Sequence, residues 1–83
     1  MTAPAILAVT VYSKPDCVQC RFTKRELDAK SLCYNEIDIT EDDEARKVLQ
    51  DMGISQLPAV AVTTGDGEVE WWSGFKPEKI RSL

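Results

Sequence analysis

The sequence predicts an α/β domain in which a four-stranded mixed sheet is flanked by three helices, in the order β-α-β-α-β-β-α. Three observations carry that prediction. β-Branched runs alternate with helix-forming stretches through the first part of the chain. A helix separates the first two strands, and strands joined by such a crossover run parallel. The turn signal Thr64-Gly65-Asp66-Gly67 then joins two further strands directly, as an antiparallel hairpin.

Residues 1–4 read as a short tail. Ile6 to Tyr12 is an almost continuous apolar and β-branched run, the pattern of a central strand covered on both faces. Ser13 to Asp16 is a loop, with Pro15 stopping the strand. From Cys17 to about Ser31 the residues are helix formers with no internal Gly or Pro. Cys20, Thr23, Leu27 and Ser31 fall on one face. Val18, Phe22 and Ala29 fall nearly opposite, so this helix carries apolar residues on a second side. Leu32 to Ile39 reads as the second strand.

Thr40 suits an N-cap, with Glu41, Asp42, Asp43 and Glu44 in a first turn where the helix dipole favours negative charge. That acidic run is read as a solvated helix start rather than as a docking site. Ala45, Val48, Leu49 and Met52 recur at i, i+3, i+4 and i+7, a single apolar face, and Gly53 closes the helix. Ala59 to Thr63 is the third strand and Glu68 to Trp72 the fourth. Trp71 and Trp72 alternate across the last strand, and Trp72 is expected to face inward. Gly74 ends it, through a positive φ or a close backbone approach. Pro77 opens a short last helix at its first position.

Eighty-three residues make one small domain, expected to span 1–83. A chain of this size buries only ~60–65% of its unfolded surface, so it has no core to spare for a second module. Ten basic against 14 acidic residues give a net charge of −4. That argues against nucleic acid, which calls for a basic face, and against an anionic membrane surface. No run approaches the ~20 apolar residues of a membrane span. Met1-Thr2-Ala3-Pro4 lacks the basic start of a signal peptide. A cytoplasmic monomer is the expectation.

Three cysteines and no histidine bound the chemistry further. The number is odd and two of the three are locally paired, which does not make a disulfide scaffold. Structural zinc takes four Cys or His ligands, so no metal site is expected. Cys17-Val18-Gln19-Cys20 falls at the junction of the first strand and the first helix, where a Cys-x-x-Cys pair reads as a thiol redox site. Residues three apart on a helix share a face, so the two sulfurs can meet. Cys17 falls at the helix N-terminus, where unpaired N–H groups and the dipole favour an anion. It is the expected thiolate, with Cys20 its partner.

Three motifs together resemble a known family. Lys14-Pro15-x-Cys17-x-x-Cys20 is the first, Pro58 before the third strand the second, and Trp72-Ser73-Gly74-Phe75-Lys76-Pro77 the third. With this element order the chain resembles the thioredoxin fold in its compact glutaredoxin-like form. Cys17-Val18-Gln19-Cys20 and the Trp72 motif are similar to those of the NrdH-redoxins. The chain departs from that pattern at Lys76, where the family carries Arg, and at Leu57, where it carries a small residue.

The resemblance implies a protein-disulfide reductase with no bound cofactor and a redox-active Cys17–Cys20 disulfide. It implies reduction by thioredoxin reductase, with NADPH used indirectly, and delivery of electrons to the large subunit of class Ib ribonucleotide reductase. Cys17 attacks and Cys20 resolves. Lowering the Cys17 pKa from ~8.5 to ~7 would raise its thiolate fraction at neutral pH from a few per cent to about half. Lys14 either lies over that sulfur or is a solvated loop lysine. A cis Leu57–Pro58 bond would form a partner-binding wall; the alternative is a plain strand-start proline. Partner contacts are expected from Val18, Gln19, Leu57, Pro58, Trp72, Ser73, Gly74 and Phe75. Phe75 reads equally as core. Val18 and Phe22 form an exposed apolar patch unless a neighbouring loop covers Phe22. Cys33 is expected to be a buried small hydrophobe rather than a regulatory thiol.

Two competing readings remain. In a glutathione-dependent glutaredoxin, a Gly-Gly-x-Asp-like segment before the last helix helps hold the tripeptide, and here that place reads Trp72-Ser73-Gly74-Phe75-Lys76-Pro77. The other is an interaction module that kept the fold without the chemistry.

Overall fold

The computed structural model describes residues 5–83; the expected tail at 1–4 lies outside the described residues. Seven elements follow one another: β1 (Ile6–Ser13), α1 (Val18–Ala29), β2 (Asn35–Asp38), α2 (Asp43–Asp51), β3 (Ala59–Thr64), β4 (Val69–Ser73) and α3 (Pro77–Arg81). The strands make one mixed sheet in the order β2-β1-β3-β4. β1 runs parallel to β2 across the α1 crossover, and β1–β3 and β3–β4 are antiparallel.

Val9 and Val11 of β1, Leu27 of α1, Val60 and Val62 of β3, Trp72 of β4 and Ile80 of α3 form the main core. Trp72 faces inward as expected, and Trp71 on the other face stacks on Tyr12 at 5.6 Å. The strand with both faces covered is β3, not β1: Ala59 to Val62 are buried without a break. β1 alternates instead: Val9, Val11 and Ser13 are buried on one face, Thr10 and Tyr12 on the other are half-buried, and Leu7 is exposed.

Several boundaries differ from the sequence expectation; β1 and β3 each run one residue longer, to Ser13 and Thr64. α1 stops at Ala29 because Ser31 adopts φ 56°, which turns Ser31 out of the buried face. The Leu32 N–H then bonds the Leu27 carbonyl and the Ser31 N–H that of Asp28, a Schellman closure made without glycine. β2 is four residues long and begins at Asn35, because Leu32 to Tyr34 are spent leaving that turn. α2 is capped by Asp42, whose Oδ1 accepts from the Ala45 N–H at 3.0 Å. Thr40 instead donates its hydroxyl to Asp38 in the preceding turn. α2 buries Ala45 and Leu49 but leaves Val48 and Met52 exposed, so its apolar face is only half used. β4 runs one residue later than expected, Val69–Ser73. Gly53, at φ 72°, closes α2 as expected.

Candidate functional site

Sheet register gathers the site. Tyr12 of β1 is opposite Ala59 of β3, so the loop leaving β1 and the loop entering β3 meet at one end of the sheet. Ala59 is in turn opposite Ser73, which brings Gly74 and Phe75 to the same end. Three segments distant in sequence (14–20, 57–58 and 73–75) thus share one rim.

Asp16 takes φ 60° immediately before the helix, a conformation Asp tolerates better than most residues. The chain then turns into α1 with Cys17 as N-cap. Cys17 Sγ accepts from the Cys20 N–H at 3.1 Å, so one of the unpaired donors of the helix start is aimed at sulfur. Cys17 and Cys20 are joined as a disulfide with Cα atoms 5.2 Å apart. Cys17 is half-buried, whereas Cys20 is 1% exposed and faces inward with Thr23 and Leu27. An incoming group therefore reaches Cys17 first.

The Leu57–Pro58 bond is cis, and Pro58 is buried at the end of β3 with Leu57 half-buried before it. The Gly74 N–H bonds the Pro58 carbonyl at 2.7 Å and extends the β3–β4 ladder into the rim. Gly74 has φ 82°, a backbone angle that calls for glycine, while a Cβ there would make an ordinary contact with the Gln56 side chain at 3.4 Å. The Phe75 N–H donates to Gln19 Oε1 at 3.4 Å, tying the C-terminal loop to the residue between the two cysteines. Phe75 packs against the core and also meets Phe22, ring centroids 5.7 Å apart. Phe22 keeps 39% of its surface exposed beside Val18 at 54%, so the loop covers that patch only in part.

Beside the disulfide lies a cavity of about 290 Å³. Lys14, Cys17, Cys20, Ser13 and Glu36 are among the residues that line it. Lys14 is exposed. Ser13 is 3% exposed and donates to Glu36 Oε2 at 2.9 Å; Lys24 donates to the same oxygen at 2.8 Å. The Lys24 hydrogen bond chiefly, and that of Ser13, hold the Glu36 carboxyl below its usual range against the opposing pull of partial burial. The sequence reading passed over Ser13, Lys24, Glu36 and Gln56. Three of them are drawn from separate elements, and nothing in their local spacing announces the meeting.

Cys33 corrects the expectation of a buried hydrophobe. It is exposed, because the turn at Ser31 delivers it to the surface before β2 begins. Among the described residues no group of three or more His, Cys, Asp or Glu could hold a metal ion, and no helix is long and apolar enough to cross a membrane.

The glutaredoxin family's sequence model matches residues 9–67. The chain is 35% identical over 77 residues to the glutaredoxin-like protein NrdH of Escherichia coli strain K12, covering 93% of this chain and 89% of that protein. It is 36% identical over 75 residues to the glutaredoxin-like protein NrdH of Lactococcus lactis subsp. cremoris, covering 90% and 97%. The solved structure of Escherichia coli NrdH-redoxin, a glutaredoxin-like protein described as having a thioredoxin-like activity profile, superposes with a TM-score of 0.81 at 36% identity. It covers 93% of this chain and 95% of that one. A thioredoxin-like sheet with three helices, a Cys17–Cys20 disulfide at the start of α1 and these relatives agree: the chain belongs to the glutaredoxin family, in its glutaredoxin-like NrdH branch.

Proposed function

We propose that the chain is a protein-disulfide reductase, reduced by thioredoxin reductase at the expense of NADPH, that serves the large subunit of class Ib ribonucleotide reductase. The observation that carries this reading is the asymmetry of the Cys17–Cys20 pair. One sulfur stands half-exposed at a helix N-terminus, and the other is shut inside one turn later.

The chemistry is thiol–disulfide exchange. Cys17 thiolate attacks one sulfur of the partner's disulfide. That bond breaks, a Cys17–partner bond forms, and the partner's other sulfur leaves as a thiolate that takes up a proton. Cys20 gives up its proton and attacks Cys17 Sγ. The mixed disulfide breaks, and the partner's second thiol is released. The partner gains two electrons and two protons; the Cys17–Cys20 disulfide re-forms. The N–H groups of the first turn stabilise the Cys17 anion, both as attacking and as leaving group. Lys14 lines the same cavity as Cys17 and adds positive charge beside it. Leu57 and Pro58 make one wall for the partner chain. Val18 with Phe22, and Gln19 with Ser73, Gly74 and Phe75 beside the inward-facing Trp72, make the other. The thioredoxin-like activity profile of the Escherichia coli relative supports the choice of reductase.

The test is a reduction assay on a protein disulfide with NADPH. One arm supplies thioredoxin reductase, the other glutathione with its reductase. Turnover is expected in the first arm. Turnover confined to the second would make the chain a glutathione-dependent glutaredoxin, and turnover in neither would make it a module without the chemistry. With class Ib ribonucleotide reductase added, deoxyribonucleotide formation should depend on this chain in catalytic amounts.

A further inference from the structure

We propose that Thr23 is a positioning residue for the buried half of the redox pair. Its hydroxyl is the hydrogen-bond partner that Cys20 gains when the Cys17–Cys20 disulfide opens. The proposal rests on the disulfide-reductase reading and adds one residue to that chemistry.

Buried polar side chains are paired as a rule, and one left alone costs free energy. Among the described residues two buried side-chain polar atoms have no partner, Thr23 Oγ1 and Trp72 Nε1. Thr23 is 0% exposed. A threonine inside a helix has a ready acceptor in the carbonyl one turn back, and this hydroxyl does not use it. Its neighbours along the buried face of α1 are Cys20, one turn back, and Leu27, one turn on. Leu27 is a hydrocarbon and offers no hydrogen bond. Cys20 carries the sulfur, is as deeply buried as Thr23, and stands three residues away. Side chains at that spacing are ~5–6 Å apart at Cβ, within reach of a hydroxyl and a sulfur.

The redox state decides whether the two can pair. In the disulfide the Cys20 sulfur is bonded to Cys17 and has neither proton nor charge. Reduction makes it a thiol, which donates weakly, and then a thiolate, a strong acceptor. The hydroxyl is therefore unpaired in the oxidised protein and paired in the reduced one. That pulls the equilibrium toward the dithiol and helps the resolving step. In that step the Cys20 proton passes to solvent through the cavity that Cys20 lines. The thiolate, held by the Thr23 hydroxyl, attacks Cys17 Sγ. The Cys17–Cys20 bond forms and the Cys17–partner bond breaks. The partner's sulfur leaves with the electron pair and takes up a proton.

Reduced protein treated with one equivalent of dithiobis(nitrobenzoate) tests this, in a Cys33→Ser background that silences the exposed third thiol. One coloured thiolate is released when Cys17 attacks and a second when Cys20 resolves. Thr23→Val removes the hydroxyl at nearly constant shape. The first phase should be unchanged and the second about tenfold slower at neutral pH, with its pH profile moved upward. In a buffer of a reference dithiol and its disulfide, the oxidised-to-reduced ratio of this variant should rise about fivefold, which is ~20 mV toward a more reducing potential. Thr23→Ser should restore both. A threonine that serves only the helix or Trp72 would act on both redox forms alike. Thr23→Val would then lower the denaturant midpoints of the oxidised and reduced proteins equally and leave the ratio and the second phase at wild-type values. That result would overturn the proposal, as would a Thr23→Ser protein that behaves like Thr23→Val. A parent protein that releases both thiolates, matched by Thr23→Val, loses only the role of Thr23. A parent protein that releases neither loses the disulfide-reductase reading as well.

Discussion

The two ends of α1 hold all three cysteines of the chain and treat them in opposite ways. At the N-terminal end Cys17 caps the helix and accepts a backbone N–H, while Cys20 is sealed inside one turn on. At the other end, ~18 Å away for a helix of 12 residues, Ser31 reverses the chain and leaves Cys33 exposed a few residues past the helix. The first environment offers partial positive charge and a second thiol one turn on; the second is open solvent with neither. The comparison teaches that position on the helix dipole and a neighbour at the right spacing decide what a cysteine does. The residue type alone does not.

The largest effect should come from breaking the comparison at its source. Cys17→Ser is expected to abolish disulfide reduction, and Cys20→Ser to trap the mixed disulfide, visible by mass spectrometry. Cys33→Ser should leave turnover within about twofold of wild type, as surface changes usually do. A Cys33 variant as dead as the Cys17 one would dissolve the distinction between the two ends.

Next comes the loop that overlies the N-terminal end. Gly74→Ala must place an L residue at φ 82° with its Cβ against Gln56. A loss of about 1–2 kcal/mol in denaturant unfolding is expected, together with a raised KM for protein disulfides. An unchanged midpoint would mean that the loop relaxes without consequence.

A smaller change sharpens the C-terminal end. α2 ends at Gly53 and α1 at Ser31, and both close with the same pair of hydrogen bonds. Ser31→Gly removes the side-chain penalty at φ 56° but adds freedom to the unfolded chain. The net expectation is about 0.5–1 kcal/mol of added stability with activity unaltered, read from the shift in the denaturant midpoint.

The smallest effect concerns Glu36, which Lys24 ties to the middle of α1. Its carboxyl titrates below the ordinary value of 4.5 because the ionised form accepts two hydrogen bonds. A folded-state pKa below the unfolded one stabilises the protein above pH 4.5, and that contribution drains away as pH falls through the folded value. Glu36→Gln should therefore flatten the acid limb of the stability curve. The pair is partly exposed, so the effect stays under about 1 kcal/mol. An acid limb identical to wild type would remove Glu36 from the account.

The legible parts of the molecule were those written locally. Element order followed from the alternation of β-branched and helix-forming runs, and the Cys17–Cys20 pair from its spacing. The inward Trp72 followed from its motif, and the positive φ of Gly74 from its strand-breaking place. The cis Leu57–Pro58 bond came from family resemblance, since a proline before a strand does not by itself choose an isomer. What stayed hidden depends on partners distant in sequence or on small backbone choices. β1 looked doubly covered because its composition is apolar throughout, but only one of its faces is fully buried. Cys33 looked buried because Leu32 to Ile39 reads as an unbroken strand, and one left-handed serine shortened it. The N-cap fell at Asp42 because Asp38 had already captured Thr40. Gln19 was visible as a residue between two cysteines, but not as the acceptor for Phe75.

That last bond joins residues 56 positions apart. During synthesis the dithiol emerges early and the segments that surround it emerge late. Until Pro58, Gly74 and Phe75 have followed, Cys17 and Cys20 lack the rim that surrounds them in the fold. Under the proposed function, the rim that would select partners is thus acquired after the reactive group itself, and a nascent chain halted before β4 would carry the thiols without it.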